Sequence, residues 1–141
     1  MTGAISPIPP MNTEVYMSTT DESIEQEIQA KGMTAPRVTP AALKDEIVSE
    51  HYFTASDGVV GATAALTGQA LGGITYEIPP LHLLTFCVLV LRNGFTVTGE
   101  SACASPENFD AEIGRKIARQ NAVQKIWPLL GFRLRDKLAD S

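Results

Sequence analysis

The sequence LHLLTFCVLVLRNGFTVTGESACASPENF, residues 81–109, decides the fold of this chain. A continuous apolar run meets the dipeptide Asn93-Gly94, and an alternating run of apolar and polar residues follows it. Asn-Gly is the preferred pair in a two-residue hairpin turn, because both central residues of that turn need a positive φ. The stretch therefore predicts a β-hairpin over about residues 82–102.

A two-residue turn fixes the register of the hairpin. It places Leu91 opposite Thr96 and Cys87 opposite Glu100, so Cys87 cannot reach Cys103 in this pairing. The chain has two cysteines, too few for a disulfide framework, and they lack metal-ligand spacing. We expect both to be small buried side chains of a protein in a reducing compartment.

The first strand of the predicted hairpin is apolar on both faces. Phe86, Val88 and Val90 lie on one face, together with Arg92 and Phe95 in this register, whereas Cys87, Leu89 and Leu91 lie on the other. Such a strand is typical of the centre of a sheet or of an interface between subunits. Because no third strand is equally clear, we expect a homo-oligomer, either a dimer or a trimer of dimers.

Helices are predicted on both sides of the hairpin. A capped, amphipathic segment predicts a long C-terminal helix over about residues 107–127, which Pro128 ends. Two short N-terminal helices are predicted. One starts near Thr20, and the other has Thr39 as its cap and Ile47 and Val48 on its buried face.

The remaining segments lack regular patterns. Residues 1–18 contain three prolines and predict a disordered or extended arm. In residues 59–80, which are rich in Gly, Ala and Thr, we expect a long loop after a turn at Asp57-Gly58. The prediction is a single α+β domain over residues 19–141, with a small antiparallel sheet packed by the C-terminal helix.

Charge is unevenly distributed along the chain. The net charge is −5, yet residues 110–137 hold seven basic and three acidic residues. A locally basic segment on an acidic protein disfavours broad nucleic-acid binding but suits a small anionic ligand in a confined pocket. No apolar run is long enough to cross a membrane, and the N-terminus lacks the pattern of a secretory signal, so we expect a cytosolic protein.

Catalytic patterns are scarce. There is no Gly-rich phosphate loop, metal-ligand cluster or nucleophile elbow. His51 and His82 are the only histidines, and Glu46 and Glu50 are expected one turn apart on a solvated helix face. We therefore expect no enzyme activity, no metal and no cofactor.

The predicted hairpin tip offers a binding platform. Arg92 and Phe95 are cross-strand neighbours in the predicted register, with Asn93 between them. A guanidinium beside a ring can stack a nucleobase, and an amide can bind a base edge. The alternative is structural: Phe95 packs in the core while Arg92 extends its stem over it.

Three further arginines are candidate ligands for an anion. Arg115 and Arg119 are one turn apart on the predicted C-terminal helix and are spaced to clamp a phosphate. Alternatively, Glu112 pairs with Arg115 or with Lys116. Arg37 stands alone in the extended segment APRVTP, either as a surface residue or reaching a neighbouring subunit's site.

The quoted residues resemble a known family. The stretch LTFCVLVLRNGFTVTGESACASPENFDAEIGRKIARQNAVQKIWPLLGF (84–132), with APRVTP (35–40) and SEHYFTASDGV (49–59) upstream, resembles the small phage accessory proteins named for genes of phages N4 and Sf6. The likeness covers roughly residues 20–138. That family is in turn similar to the Thoeris anti-defence sponge proteins.

The resemblance implies sequestration of a host immune signal in the host bacterial cytoplasm. A protein of this kind binds cyclic ADP-ribose isomers, or the cyclic oligonucleotides of CBASS defence, without cleaving them. Two other functions stay open: inhibition of a host protein that docks on the acidic N-terminal half, and weak nucleic-acid binding by the basic C-terminal segment.

Overall fold

The computed structural model describes residues 13–74 and 77–141, with side chains from residue 21 onward. Five α-helices and three β-strands lie within these residues. The helices are α1 (Thr13–Ala30), α2 (Pro40–Glu46), α3 (Ala55–Thr67), α4 (Ala111–Gln124) and α5 (Ile126–Ala139); the strands are β1 (Ile47–Thr54), β2 (Leu84–Leu91) and β3 (Thr96–Ala102). The predicted α+β fold is confirmed. Most of the predicted arm, residues 1–12, lies outside the described residues, and α1 already contains residues 13–18.

The three strands form one antiparallel sheet in the order β1-β2-β3. β2 lies at the centre, as its apolar character on both faces suggests. Its side chains alternate between fully buried and half-buried positions along all eight residues. One face of the sheet is thus closed by the protein's own helices, and the other face is partly open.

β1 replaces the second half of a predicted helix. We expected Ile47 and Val48 on the buried face of α2, but α2 ends at Glu46 and both residues lie in β1. A bulge between Ile47 and Ser49 breaks the strand's alternation. The strand also places a glutamate, Glu50, opposite the fully buried Leu89. These two features obscure the alternation of apolar residues that would have predicted a strand. Because Glu46 ends α2 and Glu50 lies in β1, the two glutamates are not one helical turn apart as we predicted.

α3 occupies much of the segment predicted to be a loop. The Thr54 hydroxyl accepts a hydrogen bond from the Asp57 backbone N–H, and the Asp57 carboxylate accepts one from the Thr54 N–H, both at 3.0 Å. This reciprocal cap starts the helix, and Gly68 ends it with φ +74°. The turn predicted at Asp57-Gly58 is therefore wrong.

The hairpin is confirmed, but its register differs by one residue from the prediction. The Leu91 N–H donates to the Phe95 carbonyl at 2.8 Å, and the Gly94 N–H donates to the Leu91 carbonyl at 2.9 Å. The loop thus has three residues, with Gly94 at φ +88°, the geometry of a type I turn followed by a left-handed residue. Cys87 consequently faces Gly99 rather than Glu100. Both cysteines are free.

The C-terminal helix is bent and longer than predicted. Asp110 caps α4, and its carboxylate accepts a hydrogen bond from the Ile113 N–H at 3.0 Å. Pro128 does not end the helix. It lies in the first turn of α5, where a missing N–H costs no hydrogen bond.

The core lies between α4 and the closed face of the sheet. Its members are Leu43, Cys87, Leu89, Leu91, Val97, Ala118, Ala122, Val123, Ile126 and Leu130. α4 packs against β3 at close range because Gly99 has no side chain: a Cβ built there would lie 2.1 Å from the Ala118 carbonyl oxygen. None of the helices in the described residues is long and apolar enough to span a membrane.

Candidate functional site

The hairpin tip does not form the predicted stacking platform. Phe95 pairs with Leu91, so Arg92 lies in the loop and is not the cross-strand neighbour of Phe95. The Arg92 guanidinium donates to the Asp45 carbonyl at 2.6 Å and 3.2 Å, and its backbone N–H donates to the Glu46 carbonyl. Arg92 therefore caps the carboxyl end of α2, which favours the structural alternative for this residue.

The other two tip residues have different roles. The Asn93 side-chain oxygen accepts a hydrogen bond from the Phe95 N–H at 3.0 Å, so the amide of Asn93 stabilises the turn. Phe95 is 56% exposed. The alternative prediction that Phe95 packs in the core is therefore wrong. The structure thus leaves an exposed ring without an adjacent free guanidinium.

Arg119 belongs to a half-buried polar cluster between α4 and β1. Its Nε and one terminal nitrogen both lie 3.0 Å from Glu50 Oε2, and the Tyr52 hydroxyl donates to Glu50 Oε1 at 2.8 Å. Burial raises the pKa of the Glu50 carboxyl, but hydrogen bonds from Arg119 and Tyr52 outweigh it and lower the pKa overall. Arg119 thus neutralises a carboxylate that the strand carries inward, and it has an acidic partner that helical spacing alone could not reveal.

Cys87 lies next to this cluster at 0% exposure. Burial is the main cause that raises the pKa of its thiol to about 11, and it also raises the pKa of the Tyr52 hydroxyl. Both groups are therefore neutral at physiological pH. A neutral, buried thiol is a poor nucleophile, so the cluster has a structural role.

Arg37 is also engaged within the fold. Its guanidinium binds the two oxygens of Glu25 at 2.5 Å and 2.6 Å, joining α1 to the segment before α2. It lines one end of a groove of about 140 Å³ between α2 and α5, together with Glu46, Arg133 and Lys137. Arg133 donates to Glu46 at 2.7 Å and, as the largest cause, lowers the pKa of that carboxyl. The groove is basic, but two of its three cations already bind a carboxylate.

Arg115 is the predicted ligand that the fold leaves available. Glu112, its alternative partner, pairs with Lys116 instead, at 3.0 Å. No ion pair or hydrogen bond joins the Arg115 side chain to any other residue for which side chains are described. Arg119 lies one turn away but is held by Glu50, so the two arginines do not form the predicted clamp.

Arg115 lines a cleft of about 80 Å³ between the start of α4 and the end of β1, which we call the Thr85 cleft. The other lining residues are Tyr52, Phe53, Thr54, Asp57, Thr85 and Ala111. Thr85 is 3% exposed, and its hydroxyl has no hydrogen-bond partner among the described residues. A buried hydroxyl without a partner costs about 1–3 kcal/mol, so such a group usually marks a bound water or ligand.

The Thr85 cleft combines the groups that a phosphorylated ring compound needs. Arg115 supplies a cation, Thr85 a buried hydroxyl, Tyr52 aromatic surface and Asp57 an acceptor for an amino group, whereas the Phe53 ring stacks on Phe86 at the opposite face of the sheet. Sequence reasoning missed Thr85, because a threonine at the start of an apolar strand carries no signal of its own. Within the described part of the chain, no three His, Cys, Asp or Glu side chains are grouped to hold a metal ion.

The fold defines a small α+β protein, and the Thr85 cleft is its candidate site. Comparison with known families gives its membership: residues 38–138 match the model of the phage protein (N4 Gp49/phage Sf6 gene 66) family, so the chain belongs to that family. The match covers more than two thirds of the 141 residues. No curated protein and no solved structure matches the chain.

Proposed function

We propose that this phage accessory protein binds and sequesters a small cyclic nucleotide that the host makes as an immune signal. The first ligand class is that of the cyclic ADP-ribose isomers of Thoeris defence, and the second is that of the CBASS cyclic oligonucleotides. The protein acts in the host bacterial cytoplasm, holds the ligand without cleaving it and needs no cofactor.

One observation carries the proposal: an unengaged arginine and an unsatisfied buried hydroxyl line the same cleft. Arg115 and Thr85 together offer donors to a phosphoryl group. The ring of Tyr52 offers a surface to a base or ribose. The fold supplies no hydrogen-bond or ion-pair partner for either side chain among the residues whose side chains are described.

The size of the cleft limits what one subunit holds. Pockets for ligands of nucleotide size occupy roughly 300–1,000 Å³, whereas the Thr85 cleft occupies about 80 Å³. One chain therefore encloses a single phosphoryl group or part of a ring. Sequestration needs a Kd near the nanomolar range, about −12 kcal/mol, so the rest of the ligand has to be covered by another subunit.

Isothermal titration with cyclic ADP-ribose isomers and with cyclic di- and trinucleotides tests the proposal. We expect a submicromolar Kd for at least one of them, and a loss of at least tenfold for Arg115→Ala. Arg135→Ala is the matched control, because it removes an exposed arginine from α5, outside the residues that line the cleft. Equal affinity in both variants would place the ligand elsewhere.

Thr85→Val separates binding from folding. The substitution keeps the side-chain shape and removes a buried hydroxyl that has no protein partner. We expect the variant to be at least as stable as the parent by thermal denaturation, yet to bind the nucleotide at least threefold more weakly. A variant that binds as tightly as the parent would remove Thr85 from the site.

Weak nucleic-acid binding, one of the alternative functions, has less support. A weak nucleic-acid-binding role would use the C-terminal basic segment, but Lys116, Arg119 and Arg133 in that segment form ion pairs within the protein. Binding to duplex or single-stranded DNA that falls steeply with salt would favour this role instead.

A further inference from the structure

The Thr85 cleft lies where two helices begin. Thr54 is the N-cap of α3, and Asp57 lies in the first turn of that helix. Ala111 is the first residue of α4, and Arg115 follows one turn later. All four residues line the cleft. The first N–H groups of a helix have no partner within the helix, and the helix dipole is positive at this end. Both helices therefore contribute positive potential at the cleft.

A buried hydroxyl lies at the same place. Thr85 is 3% exposed, and its hydroxyl has no hydrogen-bond partner among the described residues. The hydroxyl lies against the first turn of α4, because a Cβ built at Gly114 would be 3.0 Å from Thr85 Oγ1. The start of a helix does not by itself make a binding site. A buried hydroxyl without a partner beside two helix starts indicates that a further polar group completes the site.

The donors around the cleft are suited to an oxyanion. Arg115 is the only cation among the residues that line it, and no described side chain forms an ion pair with Arg115. Its guanidinium presents several N–H donors in an arrangement that fits phosphoryl oxygens, and the Thr85 hydroxyl adds another donor. A volume of about 80 Å³ suits one tetrahedral group rather than a whole nucleotide.

Asp57 restricts which oxyanion the cleft accepts. Its carboxylate oxygen Oδ2 accepts a hydrogen bond from the Thr54 N–H, and Oδ1 has no partner among the described residues. An ionised carboxylate only accepts hydrogen bonds, so it repels an oxyanion whose oxygens all lack protons. Hydrogen phosphate carries a proton at neutral pH, whereas sulfate carries none. In a nucleotide, a ribose hydroxyl next to a phosphoryl group supplies the same donor.

We propose that the Thr85 cleft binds a phosphoryl group that has a hydroxyl donor beside it, and that it rejects oxyanions without such a donor. Arg115 and Thr85 donate to the phosphoryl oxygens, and Asp57 accepts the hydrogen bond of the hydroxyl. Inorganic phosphate is the smallest compound of this class. The inference rests on the proposed function, because it names the part of the nucleotide that the cleft holds, but phosphate binding is measured without any nucleotide.

A comparison of inorganic phosphate with sulfate tests the proposal on the parent chain. We expect phosphate to bind with a Kd of about 1 mM or below, measured by broadening of its phosphorus NMR signal at neutral pH and constant ionic strength. Sulfate, added as a competitor, should bind at least tenfold more weakly. A site that hydrogen-bonds a hydroxyl discriminates strongly against a similar compound that lacks it.

The arginine variants locate the bound phosphate. Arg115→Ala should weaken phosphate binding at least tenfold, because it removes the cation of the cleft. Arg135→Ala removes an exposed arginine that does not line the cleft, so it should leave phosphate binding unchanged.

Asp57→Asn tests the acceptor. The asparagine oxygen still accepts a hydrogen bond from the Thr54 N–H, and the new amide N–H donates to an oxyanion that carries no proton. We expect sulfate to bind this variant within threefold of phosphate. Loss of the α3 cap alone would not produce such a gain of sulfate binding, so this readout separates recognition from folding.

Several outcomes would overturn the proposal. They are a parent that binds no phosphate, sulfate that competes as well as phosphate, equal losses for Arg115→Ala and Arg135→Ala, and a folded Asp57→Asn variant that still rejects sulfate. The comparison on the parent keeps the test decisive if Asp57→Asn fails to fold.

The proposed function fails by a different result. A chain that binds phosphate but none of the cyclic nucleotides would contradict sequestration and leave the phosphoryl site in place. A chain that binds a cyclic nucleotide tightly but no phosphate would contradict the phosphoryl site alone.

Discussion

Gly99 is the residue at which the packing of α4 on the sheet is most tightly constrained. A Cβ there would lie 2.1 Å from the Ala118 oxygen and 2.3 Å from the Ala122 nitrogen, both backbone atoms that cannot move independently. We expect Gly99→Ala to destabilise the protein by about 3 kcal/mol or more, measured by urea denaturation. α4 would have to shift away from β3 to relieve the contact.

Gly131→Ala is the control for the Gly99 substitution. Gly131 lies inside α5, and a Cβ built there has no neighbour within 4 Å. Alanine is favoured over glycine in a helix by about 1 kcal/mol, so this variant should be slightly more stable than the parent. If both variants have the parent's stability, the close approach of α4 to β3 is wrong.

The Arg37–Glu25 pair predicts a pH dependence at the residue scale. Hydrogen bonds from Arg37 and Gln29 lower the pKa of Glu25 from 4.5 to about 2. Because the folded pKa is the lower one, the pair stabilises the fold fully above about pH 4.5, and this contribution disappears as the pH falls towards 2. The stability difference between the parent and Glu25→Gln should therefore shrink between pH 5 and pH 2.

Denaturation of both proteins across that pH range checks the Glu25 prediction. Glu22→Gln, at an exposed position of the same helix, controls for the loss of one negative charge. The free energies of unfolding of the parent and Glu25→Gln could instead differ by the same amount down to pH 2. That result would mean that ionisation of Glu25 does not contribute to the stability that its contact with Arg37 provides.

The one-residue difference in hairpin register shows what the local sequence lacks. Asn-Gly serves both in a two-residue turn and, with Gly94 in the left-handed region, in a three-residue loop. The structure selects the three-residue loop, in which the backbone and side chain of Arg92 both bind carbonyls at the end of α2. Those carbonyls lie more than 40 residues away in the sequence, so the hairpin residues could not predict the choice.

Leu89 and Val88 lie at neighbouring positions of β2 but face opposite sides of the sheet. The sequence predicted a strand that is apolar on both faces, with Leu89 on one of them and another subunit covering one face. Leu89 is instead 0% exposed beneath the protein's own helices, and a buried carboxylate without a partner costs several kcal/mol. We now expect Leu89→Glu to prevent folding, with loss of the cooperative transition in circular dichroism. A folded Leu89→Glu variant would contradict the position of α4 over this strand.

β1 and α3 are the elements that the sequence did not reveal. In β1 the bulge and the inward Glu50 conceal an apolar face, and the compensating Arg119 comes from a helix 69 residues later. In α3 the glycines Gly58 and Gly61 resemble a loop, although the Thr54–Asp57 cap was visible as a pattern. Both elements are stabilised by contacts or caps that outweigh composition.

For the molecule as a whole, the sequence predicted the hairpin, the C-terminal helix and the basic character of that helix. It could not predict which cations remain available. Arg37 binds a group 12 residues away, Arg92 one 47 residues away and Arg119 one 69 residues away, and only the folded chain shows these partners. Of the predicted ligands, Arg115 alone lines the Thr85 cleft, beside a threonine hydroxyl that sequence reasoning did not consider.

Sequestration without cleavage is most directly tested by recovery of the ligand. The protein is mixed with a slight deficit of a cyclic ADP-ribose isomer, filtered, then heat-denatured and filtered again, with the nucleotide measured by mass spectrometry each time. We predict that the first filtrate is depleted of nucleotide and that the second returns it with unchanged mass. Nucleotide that stays in the first filtrate, for each signal class tested, or that returns with an altered mass, would contradict the account.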